Sequence, residues 1–229
     1  MRPDEWSTIR ALPLFSDMAE ENFGALMNAA FLQKFPPRVN LITEGDLPDF
    51  LHIVVEGPVE LYARHDGHET TLDIIGPVTT FILAAVIRDE PYLKSARTLA
   101  EAQILMVPAP TVRDVFDCDA PFARAIVNEL AQRYRSIVKA LKNEKLRTSA
   151  ERLANWILSA DLRQGRRHQV DLKFDKRIIA SSLGMSPENF SRNIALLSDH
   201  GIRCAARDVF IEDRAALERF AKPNPLIDD

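Results

Sequence analysis

The sequence predicts an α+β protein in which a β-rich N-terminal half, a long helix and a mainly helical C-terminal half follow one another. Three observations predict this order. Short runs of alternating apolar and polar residues recur between residues 31 and 107, with glycines between them. Apolar residues then recur at spacings of four and three from residue 120 to about residue 146. Beyond residue 147 the apolar residues have helical spacing, up to a final pair of short extended runs.

The first part of the chain is predicted to be helical, and the part after it to be a barrel of short strands. Apolar residues have helical spacing through residues 4–30. The alternating runs that follow are bounded by glycine, with Asp or Pro beside several of them, which is typical of a β-roll or jelly-roll barrel. The predicted strands lie at residues 39–41, 51–55, 59–61, 71–74, 96–98 and 104–106.

A long helix is predicted from Ala120 to about Leu146. Its apolar residues form a seam at alternating spacings of four and three, which is typical of a coiled coil. We expect this seam to join two copies of the chain, although a helix that packs on its own domain would give the same stripe. The seam consists of Ala123, Val127, Leu130, Tyr134, Ile137 and Leu141.

The stretch from Lys176 to Ile211 predicts a helix, a tight turn, a second helix and a short hairpin. The first helix should end near Gly184, because the turn needs a residue that accepts a positive φ. Ser186 is a suitable N-cap for the second helix, and Pro187 fits its first position because the missing N–H costs nothing there. Gly201 is predicted to end the second helix as its C′ residue. These elements predict a winged helix-turn-helix.

The second helix of this motif has one polar side. Spacings of three and four place Glu188, Ser191 and Arg192 together, in the turns that meet base edges when such a helix enters the major groove. Arg can pair with guanine through two hydrogen bonds, and Glu can accept one from cytosine. Each residue alone is typical of a solvated helix face, but the combination predicts DNA contact. The predicted DNA-binding residues are Ser186, Glu188, Asn189, Ser191 and Arg192.

The motif contains, in order, Ala180, Gly184, the run Pro187-Glu188-x-x-Ser191-Arg192, Leu197 and Gly201-Ile202. This order resembles the DNA-binding domain of the CRP/FNR family of bacterial transcription regulators. The Glu-x-x-Ser-Arg form is similar to the branch named for the fumarate and nitrate reduction regulator, which implies half-sites of the TTGAT kind. The cyclic-AMP receptor branch carries an Arg before the Glu, where this chain has Pro187.

Two motifs of the β-rich stretch, Thr43-x-Gly45-Asp46 and Val54-Val55-x-Gly57-x-Val59, resemble the cyclic-nucleotide-binding fold that forms the sensor domain of this family. The resemblance implies a cyclic-nucleotide-binding-like sensor domain at residues 1–118, a dimerisation helix at residues 119–146 and a winged helix-turn-helix domain at residues 147–222. The residues after these domains, 223–229, are expected to be disordered.

The charge distribution agrees with a DNA-binding C-terminal part. The chain has a net charge of −4, yet residues 145–222 hold 15 Lys and Arg against 10 Asp and Glu, and the remainder holds 14 against 23.

The sequence lacks a Gly-rich phosphate loop, a nucleophile elbow and a metal-ligand cluster, which argues against an enzyme. Without an apolar run near 18 residues or a signal peptide, the protein is expected to be cytoplasmic and not membrane-associated.

The resemblance also implies where an effector would bind. In relatives that bind cyclic AMP, a Gly-Glu pair holds the ribose and an Arg-Ser pair holds the cyclic phosphate. The matching positions here are Leu83-Ala84 and Lys94-Ser95. Ala84 offers no acceptor to the ribose hydroxyl, and Lys94 offers a point charge in place of a fork, which argues against cyclic AMP. The predicted effector pocket consists of Phe81, Ile82, Ala84, Ala85, Lys94 and Ser95.

The cofactor is left open by the sequence. An iron–sulfur cluster of the fumarate and nitrate branch would need four cysteines, and the chain has two. Residues 81–98 resemble the subfamily that regulates denitrification, which senses nitric oxide and is associated with haem, and an apolar pocket suits haem. Haem would need an axial ligand. The candidates are His52 on a predicted strand and His65 and His68 beside a predicted turn, and none of them is assigned as a metal ligand.

These observations predict a homodimeric, effector-responsive transcription regulator that binds a TTGAT-type palindrome in double-stranded DNA. We interpret it as an activator that contacts RNA polymerase, and haem-based sensing of nitric oxide or redox state is one interpretation of its effector. Two alternatives stay open. One is a ligand-binding or interaction protein of the same fold, and the other is a regulator that responds to a small aromatic metabolite or to no effector.

Overall fold

A computed structural model describes residues 3–228, which fall into two compact units that divide after Arg133. The helices are α1 (Pro3–Arg10), α2 (Glu20–Ala29), α3 (Leu83–Arg88), α4 (Ala109–Cys118), α5 (Ala120–Leu146), α6 (Ser149–Arg163), α7 (Lys176–Ser182), α8 (Pro187–Ser198) and α9 (Arg214–Ala221). The strands are β1 (Phe31–Phe35), β2 (Asn40–Ile42), β3 (Phe50–Glu56), β4 (Val59–His65), β5 (His68–Ile75), β6 (Thr79–Phe81), β7 (Ser95–Thr98), β8 (Ala102–Pro108), β9 (Gln169–Asp171), β10 (Ile202–Ala205) and β11 (Asp208–Ile211).

The first unit is built on two four-stranded antiparallel sheets, with strand orders β1-β8-β3-β6 and β2-β7-β4-β5. Side chains on both faces of β3 are buried, from Leu51 to Val54. Helix α3 interrupts the strands between β6 and β7. The N-terminal β-roll is therefore confirmed, and β1 and β6 are strands that the alternating pattern did not predict.

The turn between β3 and β4, which joins the two sheets, shows why glycine is needed between strands of this unit. Gly57 has a φ of +80°, and a Cβ atom there would lie 2.3 Å from the carbonyl oxygen of Glu101. Any larger residue would both strain the backbone and clash with the backbone at Glu101 and Ala102. The position therefore requires glycine.

Asp119 fixes the start of α5. Its carboxylate accepts hydrogen bonds from the backbone N–H groups of Phe122 and Ala19 and from Nδ2 of Asn22, each at 2.9 Å. Burial by itself would raise the pKa of Asp119, but these hydrogen bonds outweigh it and hold the pKa below its usual value. The Phe122 ring stacks on Phe15. The first turns of α5 are thus anchored in the core of the first unit.

The second unit combines α6 to α9 with a three-stranded sheet of order β10-β11-β9. Strand β9 was not predicted, because only three residues of it are extended. Helix α6 begins with a capping box in which the Thr148 hydroxyl accepts from the Glu151 N–H and the Glu151 carboxylate accepts from the Thr148 N–H. The shared core of the unit includes Leu153, Ile157, Ile179, Phe190, Leu197, Val209 and Leu217.

The prediction that Gly201 caps α8 was wrong. Helix α8 ends at Ser198 with Asp199 as its C-cap, because Asp199 and His200 continue into a tighter turn on Leu196 and Leu197. Gly201 still needs to be glycine. Its φ is +88°, and a Cβ atom there would lie 2.4 Å from the carbonyl oxygen of Asp213.

The expected disorder of residues 223–229 was also wrong for residues 223–228; Asp229 lies outside the described residues. The segment bends back on itself, with the N–H groups of Ile227 and Asp228 donating to the carbonyl oxygen of Asn224. Cationic side chains of the same unit bind the segment.

Candidate DNA-binding surface and effector segment

The turn between α7 and α8 has the geometry that the sequence predicts. Gly184 has a φ of +63°, and its N–H donates to the carbonyl oxygen of Ser181 at 2.9 Å. The Ser186 hydroxyl accepts the N–H of Asn189 at 3.2 Å, and Pro187 is the first residue of α8. The start of α8 is therefore defined by its own residues.

Arg152 of α6 holds this turn from the other side, a contact that the sequence did not reveal. Its Nε donates to the carbonyl oxygen of Leu183 at 2.9 Å, and its Nη2 donates to that of Gly184 at 3.1 Å. These are carbonyl groups at the end of α7, where the helix can no longer satisfy them. Arg152 thus caps α7 and fixes the turn on α6.

One side of α8 packs on the rest of the second unit. Phe190 and Leu197 are buried, and Ile194 is half-buried, as the sequence predicts. Asn193 Nδ2 also donates to the hydroxyl of Ser149 at 3.0 Å. The packed side is therefore fixed by both apolar and polar contacts.

The opposite side of α8 carries the predicted DNA-binding residues. Glu188, Ser191, Arg192 and the cap Ser186 are exposed, whereas Asn189 is half-buried. Arg192 Nη2 donates to Oδ1 of Asn189, and the Ser191 hydroxyl donates to the carbonyl oxygen of Pro187 at 3.1 Å. The pKa of the Glu188 carboxyl is lowered, first by its own backbone N–H, then by the Ser186 hydroxyl, and also by the positive charge of Arg192.

Further cations lie on exposed loops of the second unit. Arg166 and Arg167 are exposed in the segment between α6 and β9, where Arg166 has a φ of +55°. Arg207 is exposed in the turn between β10 and β11. Positive charges on flexible side chains of this kind suit phosphate groups better than base edges.

The predicted seam of α5 is largely uncovered in the single chain. Leu130 is half-buried against the core of the first unit, and Ala123 is also half-buried. The other four seam residues are large apolar side chains in water. Their exposed fractions are 57% for Val127, 69% for Tyr134, 66% for Ile137 and 52% for Leu141.

The predicted effector residues lie within α3 or near it along the chain, and they differ in burial. Phe81 and Ile82 are buried in the core of the first unit, Ala84 is exposed and Ala85 is half-buried. Ser95 is buried, and its hydroxyl accepts the N–H of Glu44 at 2.9 Å. The apolar segment therefore belongs to the core, and its exposed part is small.

Lys94 is the half-buried cation of this segment. Burial is the main cause that lowers its pKa, and the positive charge of Arg133 adds to that effect, while Asp73 opposes it. Arg133 in turn lies 3.7 Å from a carboxylate oxygen of Asp73 and donates to the carbonyl oxygen of Thr80 at 3.0 Å. Two cations thus lie near each other beside β6.

The His52 side chain packs against the Phe81 ring. The two residues pair across β3 and β6, and their rings stack with centroids 5.2 Å apart. The His52 side chain is buried, and among the described residues its Nδ1 has no hydrogen-bond partner. Burial lowers the pKa of His52 from 6.5 to about 4, against an interaction with the Phe50 backbone that raises it.

Within residues 3–228, no cluster of three or more His, Cys, Asp or Glu side chains could hold a metal ion. None of the helices in these residues has the length and apolarity needed to cross a membrane. A cleft of about 640 Å³ lies within the second unit, beside His200 and Phe220, and contains none of the predicted effector residues.

Comparison with known proteins matches both parts of the chain. A cyclic nucleotide-binding domain matches residues 32–119, and a Crp-like helix-turn-helix domain matches residues 151–220. The chain is 26% identical over 194 residues to the CRP-like cAMP-activated global transcriptional regulator of Mycobacterium tuberculosis, covering 82% of this chain and 87% of that protein. It is 24% identical over 215 residues to the cyclic AMP receptor protein of Thermus thermophilus, covering 93% and 98%.

Among solved structures, FixK2 from Bradyrhizobium japonicum has the same fold, with a TM-score of 0.71 at 20% identity over 83% of this chain and 96% of that one. Fold, domain matches and the exposed α8 together define a transcription regulator with a DNA-binding helix-turn-helix, and such a protein is not an enzyme. The chain belongs to the CRP/FNR family.

Proposed function

We propose that the protein binds a TTGAT-type inverted repeat through α8 as a homodimer and responds to a small effector through its N-terminal domain. One observation carries this proposal: Glu188, Ser191 and Arg192 are exposed on a helix whose other side is buried. In the major groove, Arg192 pairs with guanine, Glu188 accepts from a cytosine of the opposite strand, and Ser191 contacts the neighbouring pair. Ser186 and Asn189 belong to the same contact surface.

The uncovered seam of α5 supports the dimer. An inverted repeat has a two-fold axis, so a protein that reads both halves must be arranged about the same axis. Seam residues Tyr134, Ile137 and Leu141 expose apolar surface that a second copy of the helix would bury. The proposal therefore assigns this chain a homodimeric state.

The proposed effector is small and contacts the exposed part of α3. The names of the two relatives above specify cyclic AMP. Here Ala84 is exposed at the position where a ribose acceptor is expected, so cyclic AMP would lose that hydrogen bond. Lys94 and Ser95 are the polar groups that the proposal gives to the effector, and Ala84 and Ala85 are its apolar contacts.

Haem fits the described residues poorly. His52 is the histidine that pairs with the effector segment, but its ring is stacked on Phe81 and buried. An axial bond to His52 would require the Phe81 ring to leave the core. His65 and His68 are exposed at the two ends of the β4–β5 turn. Haem-dependent sensing of nitric oxide is therefore not part of the proposed function, and an absorption spectrum of the freshly purified protein tests this conclusion.

A gel-shift titration with a TTGAT-type palindrome tests the proposed function. Binding of the palindrome with half-site preference supports it, and a protein that binds no DNA would be the ligand-binding or interaction protein that shares this fold. Transcription in vitro from a promoter that carries the palindrome, with purified RNA polymerase, then tests the proposed role as an activator. A regulator without an effector would give the same transcription whatever small molecule is added.

A further inference from the structure

Residues 223–228 form a strap that folds back from α9 to α5 within the second unit. Lys222 ends α9 in the left-handed region, with a φ of +49°, and so turns the chain. Lys139 Nζ then donates to the carbonyl oxygen of Asp228 at 3.1 Å, and Lys142 Nζ donates to that of Leu226 at 3.0 Å. The strap thus binds the last turns of α5.

The strongest contact of the strap is an ion pair between Asp228 and Arg147. The two Nη atoms donate to the two carboxylate oxygens, each at 2.6 Å, and the side chains are only 17% and 6% exposed. The N–H of Asn224 donates to the same carboxylate at 2.7 Å. Arg147 is further fixed by Oδ1 of Asn143 at 3.1 Å and by the carbonyl oxygen of Lys222. A two-point pair of this kind fixes direction as well as distance.

The position of Arg147 gives this ion pair its importance. Arg147 lies in the two-residue link between α5 and α6, and Arg152 Nη1 donates to its carbonyl oxygen at 3.0 Å. Arg152 is also the residue that holds the Leu183 and Gly184 carbonyl groups ahead of α8. Contacts therefore run without a gap from the strap, through the link, to the turn that positions α8.

We infer that the strap is a positioning element, in which Asp228 locks the link between α5 and α6 and so fixes the direction of α8 relative to the end of α5. The inference rests on the proposed function. Two recognition helices must reach half-sites about 34 Å apart at the same time. A loose link would allow many separations between the two α8 helices of a dimer. Binding to both half-sites would then cost the entropy that is lost when one separation is selected.

Limited trypsin digestion tests the lock independently of DNA. Asp228→Asn keeps the size of the side chain and all trypsin sites, and should raise the rate of cleavage after Arg147 about tenfold, because a hydrogen bond to a charged partner is lost. Deletion of residues 223–229 should do the same. Asp114→Asn, which removes an exposed carboxylate of α4, is the matched control and should be cleaved like the wild type. Equal cleavage in all four proteins would overturn the inference.

Binding to DNA tests the positioning role. If the wild type binds a palindrome, the Asp228→Asn variant should bind the same palindrome about tenfold more weakly and should keep the wild-type affinity for a single half-site. The variant should also tolerate changes of half-site spacing that weaken binding of the wild type. Removal of a negative charge alone would strengthen DNA binding, so a weaker palindrome complex has the opposite sign. Arg147→Lys, which keeps the charge but loses the fork, should behave like Asp228→Asn.

Unchanged spacing preference in the variants would overturn the positioning role even if cleavage increased. If the wild type bound no palindrome, the proposed function would fail, and cleavage after Arg147 would still decide whether the lock exists. A melting temperature and a dimer fraction close to those of the wild type show that the variants are folded.

Discussion

Burial of His52 should make the first unit unstable in mild acid. The pKa of His52 falls from 6.5 to about 4 because the ring is buried between Phe81 and Phe50. Below pH 6.5 His52 is protonated in the unfolded chain, whereas in the folded chain it stays neutral until about pH 4. The free energy of unfolding is therefore highest above pH 6.5 and decreases as the pH falls through this interval.

The size of the effect follows from the difference in pKa. One pKa unit corresponds to about 1.4 kcal/mol, so the whole interval is worth on the order of 3 kcal/mol. Between pH 7 and pH 5 the loss should be about 2 kcal/mol. Carboxylates whose pKa is lowered in the folded chain, such as Asp119 and Glu69, lose their stabilising contribution as the pH falls through their ordinary values of 3.8 and 4.5 and below, so they add little to the loss between pH 7 and pH 5.

Urea unfolding at pH 7 and pH 5 measures this loss. Trp156 lies in the second unit, so a Trp156→Phe background leaves Trp6, which packs on Phe23, as the fluorescent reporter of the first unit. In this background His52→Gln should remove most of the difference between the two pH values, because a neutral amide does not titrate. His65→Gln, at a side chain that is 93% exposed, is the matched control and should leave the difference in place. If His52→Gln kept the full pH dependence, the reasoning from burial would be refuted.

Three further predictions concern function. Arg192→Ala should cost about 1–3 kcal/mol of DNA-binding free energy per half-site and relax the preference at one base pair. Loss of the two arginines between α6 and β9 should instead weaken binding to all sequences and make it depend less on salt. Competition with single-base-pair variants at fixed salt distinguishes the two effects. Ile137→Lys with Leu141→Lys should give monomers in analytical ultracentrifugation, because charges would enter the seam, and an unchanged dimer would contradict the interface. Calorimetry should show no micromolar binding of cyclic AMP, while Ala84→Glu, which restores an acceptor, should improve binding.

The sequence predicted the elements whose signals are local. The cap at Ser186, the positive φ of Gly184 and the length of α5 each depend on residues within a few positions of one another. The buried side of α8 was predictable for the same reason, since helical spacing alone separates Phe190 and Leu197 from Arg192.

Contacts of charged side chains with residues distant in the sequence were not predictable. Arg152 and Asp228 look like ordinary solvated residues in the sequence, because nothing nearby requires a partner for either of them. Their partners, Gly184 and Arg147, lie 32 and 81 positions away. The effector segment was ambiguous for a related reason. Its apolar run suggested a pocket wall, but apolar residues serve a core equally well, and Phe81 belongs to the core.

The structure of α8 without DNA bears on how Arg192 would read a base in the proposed complex. Its Nη2 donates to Asn189 of the preceding turn, so the guanidinium is already held on the exposed side of the helix. An Arg that is fixed before binding loses less side-chain entropy when it pairs with guanine than one that moves freely. The remaining N–H groups of the fork stay available to the base, because Asn189 engages only one of the two Nη atoms in this contact. In the proposed complex, Asn189 would therefore act as a positioning residue for Arg192, a role that a half-buried side chain can have without contacting a base itself.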